Sequence, residues 1–186
     1  STDIYNTLEI ANSSIINQAA MSGSKTGIIA MAQEAKGIKG YATLLNDTSG
    51  NIELSGINSV ALYAKNGYTV NKGQITLNGN DSVGLFGEEN TTVLNDTPGT
   101  ITLNGTGSTG LYFENSSTTN LTKEKIINAG NINGTATSSV GIFYNPNELD
   151  STAVGTALVE NTGNITFAGD KNVGIYAEKD KNNTGY

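Results

Sequence analysis

The chain has 186 residues and a formal net charge of −7, and Gly, Asn, Thr and Ser together supply 87 of its residues. It contains no Cys, His, Trp or Arg, which excludes sulfur-based metal sites, an imidazole general base and an arginine clamp for phosphate. The negative charge also argues against nucleic acid and anionic membranes as partners. Leu, Ile, Val and Phe account for 42 residues, just above the content at which chains usually fail to fold, and the abundance of Gly, Asn, Thr and Ser indicates short strands separated by many turns.

No apolar run in the sequence reaches the roughly 20 residues that a membrane-spanning helix needs. The first residues also lack the charged and then apolar pattern of a signal peptide. We therefore expect a mature segment that does not itself insert into a membrane and that is cut from a longer precursor or expressed as such.

The first 49 residues carry degenerate versions of the repeat that follows. Residues 15–16 are two consecutive Ile in an early coil, and residues 25–30 match the second strand of the later repeats. Residues 44–50 match residues 93–99. Between these matches, residues 31–36 are good helix formers and predict a single helical turn.

From Gly50 onward the chain repeats. Each repeat opens with Gly-x-Ile, in several copies Gly-x-Ile-x-Leu, and reaches a second small residue 11 positions after the opening Gly. The distance from there to the next opening Gly varies, with values of 12, 15, 20 and 22. A constant half and a variable half are typical of a solenoid whose insertions leave from one edge. The five repeats over 50–186 open at Gly50, Gly73, Gly99, Gly130 and Gly163.

The constant half of the repeat predicts strands. Apolar residues alternate with polar ones, as in Ile75-Thr76-Leu77, and this period of two buries one face. A second strand follows a corner, where the Asn-Gly pairs at 78–79 and 104–105 predict a Gly with positive φ. A third short strand, such as 69–71, closes each coil. We therefore predict one all-β segment over 1–186 of a longer rod: a right-handed parallel β-helix of about six coils, with loops protruding from one edge.

Stacked coils turn each repeat position into a ladder of side chains. One predicted ladder is entirely Ile. A second is aromatic, and we favour a structural stack of rings over the alternative, a strip on which sugar rings stack. A row of Ser at 59, 82, 108 and 139 is interpreted as turn-capping hydroxyls, since the chain has no His to activate a Ser nucleophile. The aromatic ladder consists of Tyr63, Phe86, Tyr112, Phe143 and Tyr176.

The pattern Gly-x-Ile-x-Leu-x-Gly-x-x-Ser-x-Gly-Leu-Tyr, with its Asn-rich connections, resembles the passenger repeats of large type V (classical) autotransporter adhesins, especially those of fusobacteria. The resemblance covers about residues 24–186. It implies a monomeric rod, secreted to the cell surface and anchored through a C-terminal outer-membrane barrel that is not in this chain. It further implies attachment to a host-cell receptor, protein or glycan, or to a partner bacterium. A non-binding structural stalk is the first alternative.

A carbohydrate-active enzyme is the second alternative, because lyases and hydrolases of polysaccharides share the parallel β-helix. Two residues after each aromatic position the repeats place Lys65, Glu88, Glu114, Asn145 and Glu178. If Glu88 and Glu114 lie on adjacent coils, they approach the roughly 5–5.5 Å carboxylate separation of retaining glycosidases. We favour a solvated charge row in which Lys65 pairs with Glu88, and we expect no enzymatic activity, no metal site and no cofactor.

The longest connections, at 115–125 and 144–157, are where we expect ligand contacts, because loops on a rigid scaffold commonly carry binding. The second combines an aromatic residue with amides and acids, which suits a polar or cationic partner. The alternative is that these loops only widen the rod. The predicted ligand-binding residues are Asn115, Thr118, Tyr144, Asn145, Asn147, Glu148 and Asp150.

Overall fold

The structure is a computed structural model and describes residues 13–34, 42–114, 125–145 and 158–178. Within these ranges the chain forms strands numbered β1 to β18 in chain order, which belong to three sheets called A, B and C. Sheet A consists of β1 (Ser13–Asn17), β4 (Ala42–Asn46), β7 (Gly67–Asn71), β10 (Thr92–Asn95), β13 (Lys125–Asn128) and β16 (Leu158–Asn161). Sheet B consists of β2 (Ala20–Gly23), β5 (Asn51–Leu54), β8 (Gln74–Leu77), β11 (Thr100–Leu103), β14 (Asn131–Gly134) and β17 (Asn164–Phe167). Sheet C consists of β3 (Ile29–Glu34), β6 (Val60–Lys65), β9 (Val83–Glu88), β12 (Thr109–Glu114), β15 (Val140–Asn145) and β18 (Val173–Ala177).

Each strand pairs in parallel with the strand three places further along the chain. Three consecutive strands therefore make one coil, and six strands per sheet correspond to about six coils. The prediction of an all-β parallel β-helix is confirmed. The predicted third strand of each coil is confirmed as well, because all of its copies lie in sheet A.

The Ile ladder lies in sheet B with the predicted register. Its members are direct partners on neighbouring strands from Ile52 through Ile165, and Met21 precedes them on β2. The side chains of Ile52, Ile75 and Ile101 are 0 % exposed. Alternate residues of the same strands face outward, so the period of two in the sequence sorts the core from the surface.

One apolar core runs through the rod between the three sheets. Sheet A contributes Leu44, Val93 and Ile126, and sheet C contributes a row that includes Leu62 and Leu85. These side chains are at most 1 % exposed. Each coil therefore covers the core of the next, which explains how a chain with few large apolar residues folds.

The helical turn predicted over 31–36 is wrong for the part that the structure describes. Met31 lies in strand β3, which extends to Glu34, and pairs with Leu62 of β6. The Met31 side chain is 5 % exposed. Burial of the Met31 side chain in the core outweighs the helix propensity of this short segment.

The predicted reason for the corner glycines also needs correction. Gly79 and Gly105 are absent from the residues with positive φ. A Cβ atom on Gly105 would instead overlap the backbone carbonyl oxygen of Gly79 on the preceding coil. Glycine is required there by close approach of two backbones. The left-handed position of the corner comes two residues later and is occupied by Gly27, Asn58, Asp81, Gly107, Ser138 and Lys171.

The Ser row caps this corner, as predicted. The backbone N–H of Ser59 donates to the Ser82 Oγ at 3.1 Å, and the N–H of Ser82 donates to the Ser108 Oγ at 3.2 Å. Asn172 continues the row by accepting from the Ser139 N–H at 2.7 Å. These hydroxyls satisfy buried backbone donors.

A ladder of Asn side chains at the corner between sheets A and B was not predicted. Each Nδ2 donates to the Oδ1 of the next member at 2.8–2.9 Å. Its inner members are fully buried, and the amides also bind backbone carbonyls. The ladder therefore links all six coils through buried hydrogen bonds. Its members are Asn17, Asn46, Asn71, Asn95, Asn128 and Asn161.

Candidate functional site: the outer face of sheet C

The aromatic ladder occupies the outer face of sheet C. Its members are direct partners on neighbouring strands from Tyr63 on β6 to Tyr176 on β18. The inner members are half-buried, and Tyr176 on the last described coil is 44 % exposed. Ala32 takes the corresponding position on β3. Five consecutive coils thus present one aromatic side chain each at the surface.

The rings of this ladder pack against one another in two different ways. Phe86 meets Tyr63 and Tyr112 edge to face, with ring centroids 5.4 and 4.8 Å apart. Phe143 is stacked on Tyr112 and on Tyr176, with both centroid distances at 5.1 Å. Phe143 therefore has a neighbouring ring over each of its faces. This packing supports the structural interpretation of the ladder, although two of its four contacts are not stacked.

A row of β-branched side chains runs parallel to the aromatic ladder near the start of the same strands, with two buried positions between the two rows on each strand. Its members pair in register from β3 to β18. Most are partly exposed, and Ile29 and Val173 at the two ends are 51 % and 39 % exposed. This row was not predicted as a surface feature, although its residues stand at a constant three positions before the aromatic ones. It consists of Ile29, Val60, Val83, Thr109, Val140 and Val173.

A charged row runs along the other side of the aromatic ladder. Glu34, Lys65, Glu88, Glu114 and Asn145 are register partners on successive strands, so Glu88 and Glu114 do lie on adjacent coils. Glu178 follows β18, and its N–H donates to the carbonyl of Tyr144 at 2.9 Å. We call the β-branched, aromatic and charged rows together the sheet C strip.

Lys65 forms its closer ion pair with Glu89 and not with the predicted partner, Glu88. Its Nζ lies 2.7 Å from Glu89 Oε1 and 4.0 Å from Glu88 Oε2. Asn66 Nδ2 donates to the other oxygen of Glu89 at 2.9 Å. The repeat pattern does not predict a contact of Glu89, because this residue lies in the variable half of its coil. The only sequence feature that could have indicated the contact is the adjacent acidic pair at 88–89.

Two tyrosines of the ladder, Tyr63 and Tyr112, interact with neighbouring carboxylates. The Tyr112 Oη donates to Glu114 Oε2 at 3.4 Å. Burial and the nearby charge of Glu114 raise the pKa of Tyr112. Burial and a hydrogen bond to Glu88 raise the pKa of Tyr63 well above its usual range. These phenols stay protonated at neutral pH, so the negative charge of the strip comes from its carboxylates.

Two of the seven predicted ligand-binding residues lie in the described part of the chain. Tyr144 was assigned to a connection, and this assignment is wrong because strand β15 continues to Asn145. The Tyr144 side chain is 9 % exposed and stacks inside the rod on Phe113, with centroids 5.6 Å apart. Asn145 lies opposite Glu114 on the strip. Asn115, Thr118, Asn147, Glu148 and Asp150 lie outside the described residues.

The described ranges contain no group of three or more acidic side chains placed to hold a metal ion. Within the same ranges, no helix has the length and apolar character needed to cross a membrane. The chemistry available on the sheet C strip is therefore that of carboxylates, an amide, a lysine ammonium and phenols beside an apolar surface.

No protein-family model matches this chain, and no curated protein or solved structure matches it either. A functional proposal consequently depends on the fold, the repeat pattern and the surface of the rod. Within the described residues, the sheet C strip extends along strands β3 to β18 of all six coils.

Proposed function

We propose that this chain is part of the rod of a bacterial cell-surface adhesin of the autotransporter type, and that the sheet C strip contributes to attachment. The partner would be a host-cell receptor or the surface of another bacterium. In this proposal the rod is secreted and held at the outer membrane by a C-terminal barrel outside this sequence. The observation that carries it is the strip itself, in which rows of partly exposed aromatic and β-branched side chains follow the rod axis and carboxylates border them.

Two physical arguments support a binding role for the strip. A long contiguous apolar surface with a polar border is typical of an interaction site, since monomeric proteins rarely expose one. The strip also lies on strands whose register is set by buried Ile, Asn and Ser ladders, so its side chains are held in place before any partner arrives. A rigid scaffold reduces the entropy lost on binding.

A non-binding stalk is the second candidate, and ring packing favours it. The aromatic rings contact one another along the ladder, so each repeat supplies an aromatic residue that stabilises its neighbours. The same residues therefore serve the fold whether or not a partner binds.

The two candidates are separated by adhesion of beads that carry the chain. We would couple the 186-residue protein to beads and count those retained by epithelial cells and by films of other bacteria. The double variant Phe86→Thr and Tyr112→Thr removes two rings and introduces Thr, a β-branched residue that also favours strands. The control Thr76→Ala and Thr102→Ala alters the outer face of sheet B on the same two coils.

We expect the native chain and the sheet B control to attach equally and the sheet C variant to lose attachment. Circular dichroism must show the same β spectrum for all three proteins. Equal attachment of all three would assign binding to another surface, and absence of attachment by the native chain would favour the stalk.

A further inference from the structure

We propose that the sheet C strip docks an extended, cationic segment of a partner protein, in which Lys or Arg alternates with aliphatic residues. This inference rests on the proposed function, because it names the ligand class of the same surface. Three features of the strip carry it: the shape of the apolar rows, the sign of the charge beside them, and the orientation of the rings.

The two apolar rows form a band along the rod axis and stand three residue positions apart on each strand. Six coils at the strand spacing of about 4.8 Å give a band about 24 Å long, which an extended segment of about eight residues would span. Aliphatic side chains of such a segment fit against the half-exposed Val60, Val83 and Val140. Alternate side chains of an extended segment point to opposite sides of its backbone. A backbone that follows the aromatic ladder therefore directs its aliphatic side chains toward the β-branched row and its Lys or Arg side chains toward the carboxylates.

The border of the band is strongly acidic. Among the described residues it holds Glu34, Glu88, Glu89, Glu114 and Glu178, against the single cation Lys65. Lys65 offsets part of the charge of Glu88 and Glu89, at 4.0 and 2.7 Å, and the border keeps a net negative charge. The side chains of Glu88 and Glu89 are 25 % and 21 % exposed, so this charge is partly shielded from water. The net charge of −7 would also speed the approach of a cationic partner.

The orientation of the rings favours a peptide over a sugar. Sugar C–H groups prefer the negative face of an aromatic ring. Phe143 has a ring stacked on each face, and Tyr112 has Phe143 over one of its faces. The ladder therefore directs ring edges outward at these positions. Ring edges carry partial positive charge and attract carbonyl oxygens, which an extended peptide backbone supplies.

Fluorescence anisotropy of labelled synthetic peptides with the whole 186-residue chain tests this ligand class. The probe is an alternating Lys-Val peptide of about eight residues, the length that matches the strip. The comparison peptides alternate Lys with Ser, which keeps the charge, and Glu with Val, which reverses it. The double variant Glu88→Gln and Glu114→Gln removes two charges from the strip, and the control Glu53→Gln and Glu160→Gln removes two from strands of sheets B and A.

We expect binding of the Lys-Val peptide that weakens as salt is added. The double variant Glu88→Gln and Glu114→Gln should weaken binding of the Lys-Val peptide by about fivefold or more. The control variant Glu53→Gln and Glu160→Gln should weaken it by less than about twofold. The Lys-Ser peptide should bind more weakly, and the Glu-Val peptide should not bind.

The proposal is overturned if both double variants weaken binding equally, if the Lys-Ser peptide binds as tightly as the Lys-Val peptide, or if no peptide binds. Bead attachment that is lost in the ring variant, together with absence of peptide binding, would leave the adhesin proposal standing and refute the cationic ligand. Binding of the Lys-Val peptide by a chain whose beads attach to no cell would support the cationic ligand and refute the adhesin proposal.

Discussion

Asn95 illustrates how much a single buried amide contributes to this rod. Its side chain is 0 % exposed, its Nδ2 donates to Asn128 Oδ1 and to the carbonyl of Asn131, and its Oδ1 accepts from Asn71 Nδ2. Removing it leaves donors and acceptors on two neighbouring coils buried without partners. Such losses cost far more than an exposed hydrogen bond contributes.

We therefore expect Asn95→Ala to lower the free energy of unfolding by roughly 2–4 kcal/mol. The matched control is Asn104→Ala, because Asn104 is exposed and donates to Asn78 at 2.9 Å in a surface ladder. The control should cost about 0.5 kcal/mol or less. Urea unfolding followed by circular dichroism measures both, and equal losses would show that burial of the Asn ladder is unimportant.

Three tyrosines predict how stability depends on alkaline pH. Burial raises the pKa of Tyr68, burial and Glu88 raise that of Tyr63, and burial and Glu114 raise that of Tyr112. The unfolded chain releases these protons near the ordinary pKa of 10.0, whereas the folded chain retains them to higher pH. Their contribution to stability is complete below pH 10 and is lost as the pH rises beyond it.

We expect the free energy of unfolding to fall above pH 10, in step with a tyrosinate absorbance change that is delayed in the folded chain. The double variant Tyr63→Phe and Tyr112→Phe should show a smaller fall, because Phe cannot ionise in either state. If the variant lost stability above pH 10 as steeply as the native chain, these two phenols would not be its source.

At the scale of elements, the sequence carries the strands and their register but not all of the contacts between coils. The alternation in Ile75-Thr76-Leu77 is enough to place Ile75 in the core and to align it with Ile101, because a one-residue slip would expose the whole apolar set. The Asn ladder escapes this reasoning. Asn46 precedes its opening Gly by four residues and Asn71 by two, so no constant spacing reveals that their amides meet.

The candidate site was harder to predict than the fold. The rows of the strip follow from the repeat, but their exposure depends on which face of sheet C turns outward. Tyr144 follows Phe143 directly and therefore points to the opposite side, into the core. The amides and acids that follow it in the sequence suggest an exposed loop instead. Glu89 lies outside the constant half, and its contact with Lys65 depends on the path of the corner, where Asn66 and Glu89 both have positive φ.

A row of Leu side chains in sheet B is interrupted by a Gly on one coil and by a Phe on the next. The row Leu54, Leu77 and Leu103 continues with Gly134 and then Phe167. A Cβ atom added to Gly134 would overlap the Phe167 ring, so this ring fills the space that the glycine leaves. The two substitutions therefore act as one packing unit.

A double-mutant cycle tests this unit. Gly134→Leu alone should destabilise the chain by about 1–3 kcal/mol through overpacking, and Phe167→Leu alone by about 1 kcal/mol through lost contacts. The double variant restores a continuous Leu row and should lose less than the sum of the two by about 1 kcal/mol or more. Additive losses in urea unfolding would show that the two side chains do not compensate.

At the scale of the whole molecule, the coil is the unit of structure. The Ile, Asn, Ser and aromatic ladders all connect a coil to its two neighbours. Stability in such a solenoid is approximately a sum of coil and interface contributions. The sheet C strip is a product of the same repetition, since each described coil adds one β-branched and one polar side chain to it and five of the six add an aromatic one.

Removal of one complete coil should therefore leave a shorter but folded rod. Deleting Gly73 to Pro98 joins Lys72 to Gly99 and brings Ile52 opposite Ile101, since both were partners of Ile75. The same deletion aligns Tyr63 with Tyr112, which both paired with Phe86, and places Lys65 opposite Glu114. All three sheets keep their register, because the deletion removes one strand from each.

We expect this variant to keep a β spectrum and cooperative urea unfolding at somewhat lower denaturant, with a rod about 4.8 Å shorter by small-angle X-ray scattering. The control deletes residues 89–98, which removes β10 but keeps β8 and β9 of the same coil. That coil then lacks its sheet A strand, so β7 and β13 have no strand between them to pair with, and unfolding should occur at much lower denaturant than in the one-coil deletion. An unfolded one-coil deletion, or a control that folds equally well, would contradict the view that whole coils are the independent units of this rod.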